Sequence, residues 1–418
     1  MGLTVVQKIL GRKAGITNPR QGEILDVPVD LALIHDNNGP ITVQEFLKLP
    51  VDQVWDPGKV WFVLDHHSPA SSFRAAEHYQ ELRRFAKRYG AHIFPIGRGI
   101  MHPVAAEEGL ARPGSVVVGT DSHTVGLGSM GCFATGIGST EMAAVLATGK
   151  IWLKVPETVK VTLTGKLPLG TAAKDVALFL LNQFGPYGLD YMSLELGGEL
   201  AESLTMDERM AIAIMGLEMG TKNVFVLCDE KTWGKNGGKK SGDWLVSPDK
   251  DADYADVKTY DLSKLEPIVA PPSLPTNGGP VGAVVGTPIQ QATLGSCSGA
   301  FYHDLVQAAQ ILEGRSVHPD VRFIIVPNTS RVVEEAARTG ILQKLVHAGA
   351  IISSPSCGTC AGYEVGCLAP GDVCISTTTR NMEGRMGQGG IIFLASAFTV
   401  AASAVAGTIA DPRELLGG

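Results

Sequence analysis

Short, β-branched apolar runs recur along this chain, each followed by a polar or glycine-rich turn and then a helical pattern. "VWFVLDHH" (60–67) is apolar up to Asp65-His66-His67, "AHIFPIGRGIMH" (91–102) stops at His102, and "GSVVVGTDSHT" (114–124) runs into Asp121-Ser122-His123. "VRFIIVPNTS" (321–330) precedes the amphipathic stretch "RVVEEAARTGILQKLVHAGA", for which Ser330 is the expected N-cap. "AIISSPSCGTC" (350–360) and "DVCISTTTR" (372–380) repeat the design. Continuous apolar strands alternating with helices predict parallel sheets covered on both faces. Ligands of such sheets sit outside the carboxyl ends of the strands. One strand ending at His is unremarkable; several ending at Asp, His, Cys or Arg predict a single shared crevice.

At 418 residues the chain is too long for one ordinary core. The pattern changes at "VPETVKVTLTGKLP", and the segment from Val155 to about Leu262 carries few reactive groups. A Pro/Gly-rich linker, "PIVAPPSLPTNGGPVG" (267–282), then leads to the cysteine-bearing part. These breaks predict three α/β domains, 1–155, 156–280 and 281–418. The apolar stretch Ile391 to Ile409 is interrupted by Ser and Thr and reads as a buried helix rather than a membrane span. Neither an internal repeat nor a low-complexity segment stands out.

Composition narrows the class. A 44% hydrophobic, 18% charged chain with 50 glycines fits a soluble α/β enzyme. Its net charge of −7 argues against nucleic acid or an anionic membrane as partner. The N-terminus lacks the apolar run and cleavage site of a signal peptide. Seven cysteines without an export signal imply a reducing, cytoplasmic setting in which they are thiols or metal ligands.

The one C-x-x-C pair, Cys357 and Cys360 in "SPSCGTCAG", has no second pair nearby to complete a structural zinc site. A redox pair between strand and helix stays open. So does a third arrangement, because Cys297 in "TLGSCSGAFYHDL" stands on a Gly/Ser turn before a helix. Three thiolates can hold three irons of a [4Fe–4S] cluster and leave the fourth iron open to substrate oxygen. Spacing alone does not choose among these. Cys132, Cys228, Cys367 and Cys374 lie in apolar settings and read as core.

The order and spacing of several stretches carry a family resemblance. "HDNNGP" (35–40), "LDHHSPA" (64–70), "GRGIMHPVAAEEG" (97–109) and "VVVGTDSHTVGLGSMGCFATGIGSTE" (116–141) are followed by "LGSCSGAFYHDL" (294–305), "SPSCGTCAG", "LAPGDVCISTTTRNMEGRMG" (368–387) and "ASAFTVAASAVAGTI" (395–409). Over nearly its whole length the chain resembles the large subunits of the aconitase-type hydro-lyases, closest to the 3-isopropylmalate dehydratase and homoaconitase type. The resemblance implies three α/β/α domains around one [4Fe–4S] cluster, with Cys297, Cys357 and Cys360 as its ligands and one iron open to substrate. It also implies a separate small subunit carrying the swivelling fourth domain, which contributes the base serine and an arginine on the substrate.

Removing and re-adding water beside a carboxylate needs an acid for the hydroxyl, a base for a carbon-bound proton and cations for the carboxylates. By the resemblance, Asp65 and His66 form the acid pair, while His102, Asp121 and His123 position water and substrate. Glu218 partners the histidines, Arg380 and Arg385 clamp carboxylates, and His35 and Ser122 contact the substrate. The chain departs from the family pattern at Ile214, Ser298, Gly299, Thr379 and Met382, and at the Phe301-Tyr302-His303 run. Gly299, Thr379 and Ile214 each stand where the family has Asn, and at Ile214 the change deletes a donor and an acceptor at once. The leading expectation is therefore a hydro-lyase acting on a small 2-alkylmalate such as isopropylmalate, homocitrate, homoaconitate or a methylated malate. The alternatives are a non-catalytic subunit of the same fold, and a metal-dependent phosphoesterase built on Asp65-His66-His67.

Overall fold

A computed structural model of the chain describes residues 2–235, 246–362 and 365–417. The predicted parallel sheets are present. The first orders His92–Ile93, Val60–Val63, Leu31–His35, Val116–Gly119 and Phe133–Gly136. The second orders Asn223–Val226, Ser193–Gly197, Thr158–Thr164 and Asp256–Asp261. In the third, Ile351–Ile352, Arg322–Ile325, Gln291–Leu294, Val373–Ser376 and Ile391–Leu394 lie side by side. Central strands such as Leu31–His35 and Gln291–Leu294 are buried along their whole length, as expected of strands covered on both faces.

The carboxyl ends of the first and third sheets meet. The Cys357 N–H donates to the Asp65 carbonyl at 2.8 Å, the Ile100 N–H to the Asn328 carbonyl at 2.8 Å, and Ser354 Oγ to the Ser68 carbonyl at 2.9 Å. The second sheet closes a third side. Asn223 Oδ1 accepts from the Ala134 N–H at 2.9 Å, and the helix Met206–Met215 packs against the 3₁₀ segment Ser122–Met130.

Several local expectations are corrected. The 91–102 stretch forms a strand only at His92–Ile93, and His102 lies in the helix Met101–Glu107 instead of at a strand end. The helix expected to be capped by Ser330 is capped by Thr329, whose side chain accepts from the Val332 N–H; it stops at Arg338, and Gly340 at φ 78° separates it from Ile341–His347. A glycine is needed there because the left-handed backbone penalises any Cβ. The 391–409 stretch is the strand Ile391–Leu394 followed by the buried helix Ala397–Ala406. The 267–282 linker contains an antiparallel ribbon, Ile268–Val269 with Gly279–Pro280, and Ala270 bridges to Leu394. Cys367 is exposed, not core, and Cys228 only partly buried, whereas Cys132 and Cys374 are buried as expected. Among the described residues no helix is long and apolar enough to cross a membrane.

Candidate active site

One cavity of about 250 Å³ opens where the sheets converge. Its walls include His35, His66, Asp121, Ser122, His123, Cys297, Cys357, Cys360, Arg380 and Arg385. Asp65, His102 and Glu218 stand behind this wall and touch the residues that form it. The sequence-predicted site residues are thus brought together.

Most arrive from a strand end or the turn beyond it, whereas His102 comes from the helix Met101–Glu107 and Glu218 from the 3₁₀ turn Gly216–Met219. His35 closes the strand Leu31–His35. The Asn37 N–H donates to its Nδ1 at 3.2 Å, so the ring proton sits on Nε2, 3.2 Å from the Thr120 carbonyl. Burial, then the nearby His66, lowers its pKa to about 4. His35 is therefore neutral at pH 7, and its ring stacks on His66 with centroids 4.1 Å apart.

Asp36, which the sequence reading passed over, organises the next turn. Its carboxylate accepts from the backbone N–H groups of Asp65, His66 and His67 at 3.1, 2.8 and 3.0 Å. Asp65 then receives the Met101 N–H on Oδ2 at 2.8 Å and holds His66 Nδ1 on Oδ1 at 2.8 Å. Burial opposes a charge on His66, yet Asp65 and Asp121 outweigh it and raise its pKa well above the usual value. The protonated ring points Nε2 at Asp121 Oδ2, 3.4 Å away.

From Asp121 the ionic chain continues. Its Oδ1 accepts from the His123 N–H at 2.7 Å and lies 3.3 Å from His123 Nδ1 and 3.6 Å from His102 Nε2. His123 Nε2 is 3.1 Å from Glu218 Oε1, which also accepts from Arg380 Nε at 2.8 Å. Burial opposes every charge here, but the histidines hold Asp121 and Glu218 ionised, and these carboxylates in turn raise His123. Arg380, Glu218, His123, Asp121, His66 and Asp65 thus alternate in sign. His102 is fully buried, its Nε2 faces Asp121 Oδ1 at 3.6 Å, and among the described residues neither ring nitrogen has a partner within hydrogen-bond distance.

The phosphoesterase alternative is not supported. His35, Asp36, Asp65 and His66 bring potential ligand atoms within 4.8 Å of one another. However, both Asp36 oxygens, both Asp65 oxygens and both His35 nitrogens already bond to protein groups.

The three thiols suit a thiophilic metal group. Cys297 sits between Ser296 (φ 71°) and Ala300 (φ 52°), left-handed backbone that non-glycine residues seldom adopt away from functional turns. In the C-x-x-C turn, Gly358 has φ 57°, and a Cβ there would fall 2.7 Å from a Val326 methyl. Burial drives the Cys297 thiol well above its ordinary pKa, so it stays protonated until a cation replaces the proton. A shared hydrogen bond pushes Cys357 up and Cys360 down. Donors of the kind that tune metal-bound sulfur also surround Cys360, with the Thr379 hydroxyl 3.5 Å and Arg385 Nη2 3.7 Å from Sγ.

The departures from the expected pattern leave these groups intact. Ile214 is fully buried among Met210, Phe301 and Cys297, with its side chain lying against Gly126. Ser298 bonds to Lys174, Thr379 reaches Cys360, and Met382 is exposed. Lys174 was also passed over: it is almost wholly buried beneath the site. The signal was present, because a cation in the first turn of "AKDVALFLLNQF" opposes the helix dipole.

Fold and site together define a class, an α/β hydro-lyase. A family model described as the aconitase family (aconitate hydratase) matches residues 7–287 and 280–407. The chain belongs to the aconitase family, which implies an iron–sulfur cluster. The 3-isopropylmalate dehydratase large subunit 1 of Methanopyrus kandleri is 45% identical over 421 residues, covering all of both chains. The 3-isopropylmalate dehydratase large subunits of Moorella thermoacetica and Methanoregula boonei are 42% and 40% identical, over 100% and 99% of this chain and the whole of each relative. The crystal structure of Thermococcus kodakaraensis aconitase X in its holo-form aligns with a TM-score of 0.50 at 14% identity, covering 90% of this chain and 89% of that one. This last likeness concerns the fold.

Proposed function

We propose that this chain is the large subunit of a hydro-lyase that isomerises a 2-alkylmalate of the isopropylmalate type by removing and re-adding water. The observation that carries the reading is the single cavity in which three thiols face a protonated histidine and two arginines. The names of the full-length relatives support the substrate class and a separate small subunit.

Cys297, Cys357 and Cys360 would hold a [4Fe–4S] cluster, which when bound supplies a Lewis acid for a hydroxyl and a carboxylate. The remaining chemistry belongs to the side chains. Arg380 and Arg385 receive the substrate carboxylates, for which a planar fork is better matched than an ammonium. His66 holds a proton on Nε2 at the cavity wall and delivers it to the departing hydroxyl, with Asp65 fixing the ring. Asp121, His102 and His123 orient water and substrate, and Ser122 lies at the rim. Abstraction of the carbon-bound proton falls to a base from the small subunit.

We also retain domain limits near 155 and 280, supported by three parallel sheets whose strands span 31–136, 158–261 and 291–394. The assembly is a cytoplasmic heterodimer or heterotetramer. The test is turnover by the two-subunit complex after anaerobic reconstitution with iron and sulfide. Interconversion of isopropylmalate isomers is expected, with none from the isolated chain. Preference for homocitrate or a methylated malate would move the substrate assignment. A cluster-loaded complex that dehydrates none of these acids would overturn the reading.

A further inference from the structure

Lys174 lies in the first turn of the helix Ala173–Phe184 and is only 4% exposed. Its Nζ approaches Ser298 Oγ at 2.9 Å, the Thr377 carbonyl at 2.9 Å and the Thr378 carbonyl at 2.8 Å. Ser298 Oγ also donates to the Thr377 carbonyl at 3.2 Å. An ammonium has three N–H groups for the three oxygens around Nζ where a neutral amine has two, and although burial lowers its pKa, it falls only to about 8, so the charged form prevails at pH 7.

That charge is costly where it stands. Burial disfavours it, and the helix N-terminus, itself partially positive, disfavours it further. None of its acceptors is a carboxylate, and its fourth neighbour is the Met215 sulfur at 3.3 Å. The two loops it joins are those of the cluster thiol Cys297 and the clamp Arg380. Cys297 and Cys360, once deprotonated, favour the ammonium, as do the carboxylates of Asp304 and Glu218.

Resting on the assignment of Cys297, Cys357 and Cys360 as cluster ligands, we infer that Lys174 is a positioning residue and the buried counter-cation of the anionic cluster. Its charge favours the reduced, more negative state and holds the Cys297 and Arg380 loops in register. A buried cation beside a cluster raises its reduction potential.

Two neutral replacements separate charge from loop pinning. Lys174→Gln keeps hydrogen-bond donors without charge, and Lys174→Met keeps the approximate shape without either. The readouts, on the reconstituted two-subunit holoprotein, are the cluster's reduction midpoint by titration and its rate of loss to a chelator. Both variants are expected to shift the midpoint to more negative values and to lose the cluster several-fold faster, with unaltered far-ultraviolet circular dichroism. Lys174→Arg is expected to return the midpoint toward that of the unmodified protein. A normal midpoint in both Gln and Met variants would overturn the inference, as would a shift in Met alone, which would reduce Lys174 to a loop pin. Failure of the ligand assignment looks different, because the unmodified protein would then carry no cluster to titrate.

Discussion

Arg380 donates through Nε to Glu218 Oε1 at 2.8 Å, the same oxygen that faces His123 Nε2 at 3.1 Å. One carboxylate therefore aims both a guanidinium that lines the cavity and a histidine of the ionic chain. Arg385 is held differently, donating to the Cys360 carbonyl at 2.7 Å and lying 3.7 Å from its sulfur. The two arginines look equivalent in "RNMEGR" but answer to different neighbours.

Their lysine variants are accordingly expected to differ. Arg380→Lys loses the planar fork, and kcat/KM of the two-subunit complex is expected to fall by about one to two decades, the value of roughly 1.5–3 kcal/mol for a charge-assisted hydrogen bond. Its visible spectrum is expected to be unchanged. Arg385→Lys is expected to cost similar activity and also to alter the cluster absorbance and speed its loss. Near-normal kcat/KM in both would show that the clamp lies elsewhere.

His35 sets a pH dependence of stability. Its pKa is lowered from 6.5 to about 4, chiefly by burial. Between these values the unfolded chain binds a proton that the folded chain refuses, so stability falls as pH drops through that window. The loss amounts to about 3 kcal/mol if the shift is realised in full. His35→Gln, which cannot take up the proton, is expected to show a shallower decline in urea-unfolding free energy from pH 7 to pH 4. An unchanged slope would contradict the neutral assignment of this ring.

Ile214 tests whether the departures beside the cysteines form a packed apolar block. With the side chain fully buried in the apolar cluster that also holds Met210, Phe301 and Cys297, Ile214→Asn would bury an amide without partners. A loss of about 2–4 kcal/mol in chemical denaturation is expected. A cost below about 1 kcal/mol would mean that a polar partner is within reach of this position.

Much of the site was legible because parallel sheets deliver their carboxyl ends to one place. His35, Asp65, Asp121, Cys297 and Arg380 all lie at or within four residues of a strand end. Reading those ends in order locates the crevice. His102 belongs to a helix, and its stretch reads as a strand because β-branched composition cannot distinguish two paired residues from a longer strand. Asp36 and Lys174 act through contacts 29 to 204 residues away, which local pattern does not carry. Ser330 lost the cap to Thr329 because adjacent hydroxyl residues are chemically equivalent as N-caps, and backbone geometry decides between them.

The central claim is that Cys297, Cys357 and Cys360 together hold an iron–sulfur cluster in a hydro-lyase site, and iron and sulfide content tests it most directly. The purified chain is reconstituted anaerobically beside Cys297→Ser and Cys357→Ser, with iron, acid-labile sulfide, visible absorbance and circular dichroism measured on each. The unmodified chain is expected to take up four irons and four sulfides with broad brown absorbance. Each serine variant is expected to lose that cluster and keep its secondary structure, because the thiols lie on turns beyond the strands. Full iron and sulfide in both variants, or an unmodified chain that binds neither, would contradict the account.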